Sequence, residues 1–120
     1  MAKYVEVYLL PIPAKNLKAY VKLARVMGRL FLKHGALAYR EYNSSDHGTF
    51  GPLLLAGRLN PRKGEILIYG AVEYRSEKHR DQVAKKAMSD PKFMKSMPNP
   101  PLFDFKRMGF GGFKQLVDLS

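Results

Sequence analysis

The sequence contains no cysteine, and this absence removes several classes of site. The chain can form no disulfide, no thiolate zinc site and no cysteine-ligated iron–sulfur cluster. A cysteine-free chain also fits a reducing compartment, so we expect a cytoplasmic protein. Long apolar runs are missing too: nothing approaches the ~20 residues of a membrane-spanning helix. Val5–Leu10 is too short for a signal peptide because Pro11 ends it, and we expect no membrane partner.

Acidic residues are scarce: 10 Asp and Glu oppose 21 Lys and Arg, which gives a formal net charge of +11. A charge of this size bears on solubility and on anionic partners rather than on the fold. The length of 120 residues is sufficient for one hydrophobic core, so we expect a single domain over residues 1–120.

Hydrophobic periodicity predicts an α+β fold of order βαββαβ, an antiparallel sheet with its helices on one face. The predicted strands are Lys3–Leu10, Ala36–Tyr42, Glu65–Tyr74 and Lys106–Leu119. Pro11 and Pro13 are expected to end the first strand. The predicted helices run from Ala14 to about His34 before Gly35, from the Ser76 cap to near Ser89, and from Asp90-Pro91 to about Met97. Asn43–Gly64 is expected to be a long loop.

The first predicted helix has an apolar stripe and an opposing basic face. The stripe comprises Leu17, Tyr20, Val21, Ala24, Gly28 and Phe31. The basic face comprises Lys15, Lys18, Lys22, Arg25, Arg29 and Lys33. This face is either an ordinary solvated surface or a surface for an anionic partner.

Tyrosine and glutamate recur on three of the predicted strands, as Glu6-x-Tyr8, Tyr39-x-Glu41 and Tyr69 with Glu73. Because glutamate is rarely buried without a partner, we expect these residues to share one special sheet face. That face is predicted to be either a wet subunit interface or the wall of a ligand cavity, and a homodimer is the simplest way to cover it.

Arg80 shares a helical face with the apolar residues Val83, Ala84 and Ala87. A guanidinium there needs a partner, either a structural salt bridge to Glu73 or Asp104, or a ligand carboxylate or phosphate. We therefore choose four ligand-binding candidates, which are Arg80, Tyr69, Glu73 and Tyr20.

His34 and His79 are the weak candidates for a catalytic acid or base, although a lone histidine is more often structural. The three histidines lie far apart in sequence, so no metal site is predicted, and no cofactor is expected. Gly109–Phe113 faintly resembles the aromatic motif of RNA-recognition modules, but it lies on the last strand rather than the third. The sequence therefore disfavours a nucleic-acid partner.

Several segments together resemble the YbaA-like family of small uncharacterised bacterial proteins. They include Leu10-Pro11-x-Pro13, His34–Leu37, Tyr74–Asp81, Met88–Pro91, Phe103–Met108 and Gly111–Lys114. The resemblance covers nearly the whole chain except Asn43–Leu59. It implies a ferredoxin-like fold of the dimeric α+β barrel superfamily, in which two sheets pack face to face. The family has no established activity, so the resemblance leaves function open.

Three hypotheses about function follow. The first is a dimeric protein that binds or transforms a small anionic or polar organic molecule between helices and sheet. The second is a non-catalytic protein-interaction or stress-related module, and the third is a basic nucleic-acid binder. The sequence does not decide whether the protein is an enzyme.

Overall fold

The computed structural model describes residues 3–45 and 55–120. Four antiparallel strands form one sheet in the order β2-β3-β1-β4. The strands are β1 Tyr4–Pro13, β2 Ala38–Asn43, β3 Glu65–Tyr74 and β4 Gly109–Lys114. The α-helices are α1 Leu17–Lys33, α2 Leu55–Leu59, α3 Glu77–Ser89 and α4 Pro91–Lys95, and 3₁₀ turns occupy Ala14–Asn16 and Phe105–Arg107.

The helix boundaries follow from local capping interactions. The Ser76 hydroxyl accepts a hydrogen bond from the His79 amide at 3.1 Å and starts α3. The Asp90 carboxylate accepts from the Lys92 amide at 3.0 Å and starts α4, which has proline at its first position. Gly35, with φ of 115°, follows α1 in a conformation that suits glycine. The predicted caps of α3 and α4 are therefore confirmed.

β1 continues through Pro11 and Pro13, so the prediction that these prolines end the strand is wrong. Pro11 pairs with Leu67 and Pro13 with Glu65. The pairing of β1 with β4 stops earlier, at Leu9. Proline is tolerated beyond that point because the strand has a neighbour on one side alone and its second edge needs no amide donor.

The last strand is shorter than the predicted Lys106–Leu119. A 3₁₀ turn capped by Asp104 precedes it, and residues 115–120 follow it without regular structure. Arg107 leaves that turn to form a two-pronged ion pair with Glu65, with N–O distances of 2.6 and 2.8 Å. This pair fixes the entry to β4 against the start of β3.

The predicted loop Asn43–Gly64 contains the short helix α2, and residues 46–54 of that prediction lie outside the described residues. No helix of the described ranges is long and apolar enough to cross a membrane.

The basic face of α1 is exposed at all six predicted positions. The predicted stripe faces the core at Leu17, Tyr20, Ala24, Gly28 and Phe31, whereas Val21 is 38% exposed. The buried face also includes Met27 and Leu30, which lie beyond the Tyr20 side of the predicted stripe.

The strand register gives the sheet two different faces. Tyr4, Leu10 and Ile12 of β1 pack with Ile68, Val72 and Tyr74 of β3 in the core beneath the helices. The opposite face, which we call the open face, carries Val5, Val7, Leu9, Tyr42, Leu67, Tyr69, Ala71, Glu73 and Phe113.

The prediction that tyrosine and glutamate share one sheet face is confirmed for β1 and β2 and is wrong for β3. Glu6, Tyr8, Tyr39 and Glu41 lie in register with even-numbered residues of β3 and face the helices. Tyr69 and Glu73 have odd numbers on β3, so the alternation of the strand places them on the open face.

Candidate functional site

A cavity of about 600 Å³ lies between the helix-facing side of the sheet, α1, and the segment that runs from α3 to β4. Its lining is largely apolar. Five methionines contribute flexible side chains to it: Met27, Met88, Met94, Met97 and Met108. Phe31, Phe93, Phe103, Phe105 and Phe110 add aromatic surface. Within the described residues, two charged side chains line this cavity, and both are acids: Glu6 and Glu41. We call this space the inner cavity.

One row across the sheet builds the polar wall of the inner cavity. In this row Tyr8 of β1 lies opposite Gly70 of β3, and Gly70 lies opposite Glu41 of β2. Neighbouring strands are about 4.8 Å apart, so Tyr8 and Glu41 are separated by two such steps. The Tyr8 ring crosses the gap over Gly70, where an added Cβ would lie 2.3 Å from the ring. The absence of a side chain at Gly70 therefore brings Tyr8 to Glu41.

Tyr39 and Tyr20 approach the same carboxylate from β2 and α1. Tyr39 lies against Gly28, where an added Cβ would be 2.7 Å from the Tyr39 ring. This close approach lets α1 pack near enough to β2 for Tyr20, on the same helix, to reach Glu41.

Three tyrosine hydroxyls surround the Glu41 carboxylate. Tyr39 donates to Oε2 at 2.6 Å, and Tyr20 donates to Oε1. The Tyr8 hydroxyl lies 2.7 Å from the Tyr39 oxygen and 3.1 Å from Oε2 of Glu41. We call these four residues the Glu41 cluster. Every hydroxyl in it faces an acceptor oxygen.

Burial and the neighbouring carboxylate both keep the tyrosines protonated. The pKa values of Tyr8, Tyr20 and Tyr39 lie well above the ordinary tyrosine range, chiefly because burial disfavours the phenolate. The negative charge and hydrogen bonds of Glu41 raise them further. The Glu41 cluster can therefore hold a polar group by hydrogen bonding while its tyrosines stay neutral.

The second acid of the inner cavity, Glu6, is paired with Arg80 of α3. The Arg80 side chain is 19% exposed, points towards the sheet, and also donates from Nε to Asp81 at 2.7 Å. Its guanidinium carbon lies 5.2 Å from the centroid of the Tyr4 ring. Arg80 therefore pairs with Glu6 and Asp81, and the predicted pairing with Glu73 or Asp104 is wrong.

The four predicted ligand-binding residues are divided between two faces of the protein. Tyr20 lines the inner cavity and Arg80 contacts Glu6 at its edge. Tyr69 and Glu73 lie on the open face, where Glu73 pairs with Arg40. These four residues cannot form one site within a protomer, and a ligand role for each remains a prediction.

The two histidines make structural contacts away from the described wall of the inner cavity. His34 lies 2.9 Å from Asp90, which joins the end of α1 to the start of α4. His79 is buried, its Nδ1 accepts from the Arg75 amide at 3.0 Å, and its ring packs edge-on against Tyr74. An acid or base role for either remains a prediction. Within the described residues, no three His, Asp or Glu side chains are grouped as metal ligands would be.

Sequence reasoning placed Tyr8, Tyr39 and Glu41 on one sheet face and named Tyr20, but it missed that all three tyrosines meet at Glu41. The available signal was Gly70, a glycine in the interior of a strand that is otherwise mostly aliphatic and aromatic. Such a glycine often marks a close approach of another group. Gly70 therefore indicates that a side chain lies across the strand at this position, but it does not identify that side chain.

The sequence of this chain matches one protein family and several curated relatives. A family described as "Protein of unknown function (DUF1428)" matches residues 3–105. The uncharacterized protein YbaA of Escherichia coli K12 is 35% identical over 121 residues, covering 97% of this chain and 98% of that protein. YbaA of Shigella flexneri gives the same values. The predicted resemblance to the YbaA-like family is confirmed.

Two solved structures share the fold at low sequence identity. Rv0793 from Mycobacterium tuberculosis has a TM-score of 0.57 and 12% identity, with 99% of this chain and 100% of that chain covered. A dimeric ferredoxin-like protein from an uncultured marine organism has a TM-score of 0.52 and 11% identity, with coverage of 100% and 99%. The predicted ferredoxin-like α+β fold is confirmed.

Proposed function

The chain belongs to the DUF1428 family of proteins of unknown function, and from that premise we propose that it binds a small organic molecule in the inner cavity. The observation that carries the proposal is the combination of an apolar cavity of about 600 Å³ with one polar cluster in its wall. Ligand sites in proteins typically measure about 300–1,000 Å³ and combine apolar lining with a few placed polar groups.

The chemistry of the lining favours a molecule with an apolar body and one polar group. Methionine side chains adapt to irregular shapes, and the phenylalanines offer flat apolar surface. A purely anionic molecule is disfavoured, because both charged residues of the described lining are carboxylates. This narrows the sequence-based hypothesis from anionic or polar ligands to polar ones.

A neutral probe, 1-naphthalenemethanol, tests the proposal by equilibrium dialysis. We expect saturable binding to the wild-type protein at one site per chain. Leu23→Trp adds bulk to the lining of the inner cavity and should weaken binding by about tenfold or more. Val26→Trp is the matched control, since Val26 is on the same helix, 38% exposed, and outside the described lining.

If neither this alcohol nor an amine or acid with the same naphthyl body binds saturably to the wild type, the proposal is contradicted. Equal binding by the wild type and Leu23→Trp would also contradict it, because the probe would then lie elsewhere. Circular dichroism melts of both tryptophan variants check that each remains folded.

We also propose that two copies of the chain associate through the open face. The half-exposed side chains of Val7, Leu9 and Ala71 make its centre apolar, and Phe113 adds a ring that is 58% exposed. After β4, Leu116 and Leu119 are 95% and 93% exposed, which adds apolar surface that a second copy could cover. One of the structural neighbours is described as dimeric, and the superfamily resemblance leads to the same assembly.

A further inference from the structure

We propose that the ligand of the inner cavity is an organic amine, bound as its ammonium ion with the nitrogen at Glu41. This inference rests on the proposed binding function and assigns the class of ligand to the same cavity. It follows from two features of the Glu41 cluster within the described residues: a shortage of hydrogen-bond donors, and the lack of an ion-pair partner for the Glu41 carboxylate.

The hydrogen-bond count of the cluster leaves acceptors unfilled. An ionised carboxylate offers about four lone-pair positions, and each tyrosine hydroxyl supplies one hydrogen. Among the described residues, the donors to Glu41 are the hydroxyls of Tyr8, Tyr20 and Tyr39. If Tyr8 instead donates to the Tyr39 oxygen at 2.7 Å, two hydrogens remain for the carboxylate. A ligand group that completes the cluster must therefore donate hydrogen bonds.

The charge balance of the inner cavity leads to the same conclusion. Glu6 is neutralised by Arg80, whereas in the described ranges no lysine, arginine or histidine nitrogen lies within 4.0 Å of the Glu41 carboxylate. A carboxylate in a largely apolar cavity is stabilised by a cation that also hydrogen-bonds to it. A protonated amine supplies both the charge and the N–H donors.

The position of Glu41 leaves room for the rest of such a molecule. The carboxylate lies on the sheet, and the methionine and phenylalanine side chains of the α3-to-β4 segment form the facing wall. Tyr20 packs edge-on against Phe103, with ring centroids 5.9 Å apart, and so joins the polar wall to the apolar one. An amine seated at Glu41 would extend its hydrocarbon part towards Phe103, Met97 and Met94.

Three probes with one aromatic body test this inference by equilibrium dialysis at neutral pH and low salt. They are 1-naphthylmethylamine, which is protonated there, neutral 1-naphthalenemethanol and anionic 1-naphthylacetate. We expect the amine to bind at least about tenfold more tightly than the alcohol, and the acetate to bind most weakly. The net charge of +11 opposes binding of a cation, so a preference for the amine would reflect the local site.

The outcomes separate the two proposals. If the alcohol binds as tightly as the amine, the amine inference is overturned while the proposed binding function stands. If none of the three probes binds, the proposed function fails and the inference fails with it.

Glu41→Gln tests the role of the carboxylate directly. We expect this variant to bind the amine no more tightly than the alcohol. Glu73→Gln is the matched control, because it removes the same charge from the open face and should retain the preference. An amine preference that survives Glu41→Gln overturns the assignment of the nitrogen to Glu41.

A measurement on the wild type covers the case in which Glu41→Gln does not fold. The trimethylated derivative of the amine probe keeps the positive charge but has no N–H donor. We expect it to bind at least about fivefold more weakly than the primary amine. Equal or tighter binding of the trimethylated probe would overturn the donor argument.

Discussion

Gly70 determines where the Tyr8 ring can lie, because an added Cβ would come within 2.3 Å of that ring. We predict that Gly70→Ala displaces Tyr8 from Glu41 and lowers the free energy of unfolding by about 1–3 kcal/mol. Urea denaturation measures the change. Gly109→Ala is the control, since a Cβ added there would have no neighbour within 4 Å, and its effect should stay within about 0.5 kcal/mol. Similar losses in both variants would contradict the crossing role of Gly70.

Arg80 holds α3 to β1 through its pairing with Glu6. Removal of a buried partner costs about 3–5 kcal/mol, but these side chains are 19% and 25% exposed, so we predict that Arg80→Met costs about 1–3 kcal/mol. Lys85→Met, an exposed change on the same helix, should be nearly neutral. Adding Glu6→Gln to Arg80→Met should recover part of the loss, because the half-buried Glu6 carboxylate is then no longer left unpaired. An Arg80→Met variant as stable as the wild type would leave Arg80 free for the ligand role that the sequence indicated.

At the scale of elements, hydrophobic periodicity predicts the bounds of a strand better than it predicts how neighbouring strands pair and in which register. The predicted bounds of β3, Glu65–Tyr74, agree with the structure because both its faces and its flanking turns are explicit in the sequence. The shared face of tyrosine and glutamate was wrong at Tyr69 and Glu73 because alternation defines two faces per strand, while the register decides which faces coincide. That register depends on contacts between distant segments, such as Tyr39 with Val72 and Val72 with Glu6. The approach of Tyr20 to Glu41 could not be predicted because it depends on how α1 packs on the sheet.

The exposed basic face of α1 opposes helix formation through repulsion between like charges. We predict that Lys22→Glu leaves stability unchanged or raises it by up to about 1 kcal/mol at low salt, because the new carboxylate faces Lys18 and Arg25. Lys33→Glu is the control: Lys33 lies 3.1 Å from Asp90, so the same substitution there should destabilise. Urea denaturation at low and high salt measures both effects. A marked loss in Lys22→Glu would indicate an acidic partner for this face.

The start of α3 is expected to make stability depend on pH near neutrality. Burial, together with repulsion from Arg75, holds the pKa of His79 below its usual range. The unfolded chain therefore binds a proton more readily, so this contribution to stability is present above about pH 6.5 and is lost as the pH falls below it. Hydrogen bonds from His34 and from the Lys92 amide lower the pKa of Asp90, so the contribution of Asp90 to stability is lost only below about pH 4.

Melting temperatures between pH 8 and pH 5 test the His79 contribution. The wild type should melt at lower temperature as the pH falls through this window, and His79→Gln should reduce that slope. Lys78→Gln, an exposed change in the same helical turn, should keep it. A wild-type slope that His79→Gln leaves intact would show that another group titrates.

At the scale of the whole molecule, the two faces of the sheet are expected to serve different purposes. The helix-facing side carries the Glu41 cluster and the inner cavity, whereas Val5, Val7 and Leu9 on the open face remain half-exposed. Assembly through the open face would therefore bury apolar surface without closing the cavity.

Val7 lies near the centre of the open face, between Ala71 and Gly111. We predict that Val7→Lys converts a homodimer into a monomer of 13.7 kDa, because a buried lysine without a partner charge is costly at an interface. Sedimentation velocity at micromolar concentration measures the mass. Val26→Lys makes the same change on the exposed side of α1 and should leave the dimer intact. A wild-type protein that sediments as a monomer would contradict the assembly.

Since Val7 and Glu41 face opposite sides of the sheet, monomeric Val7→Lys should still bind 1-naphthalenemethanol. Loss of that binding would show that the cavity depends on the second copy.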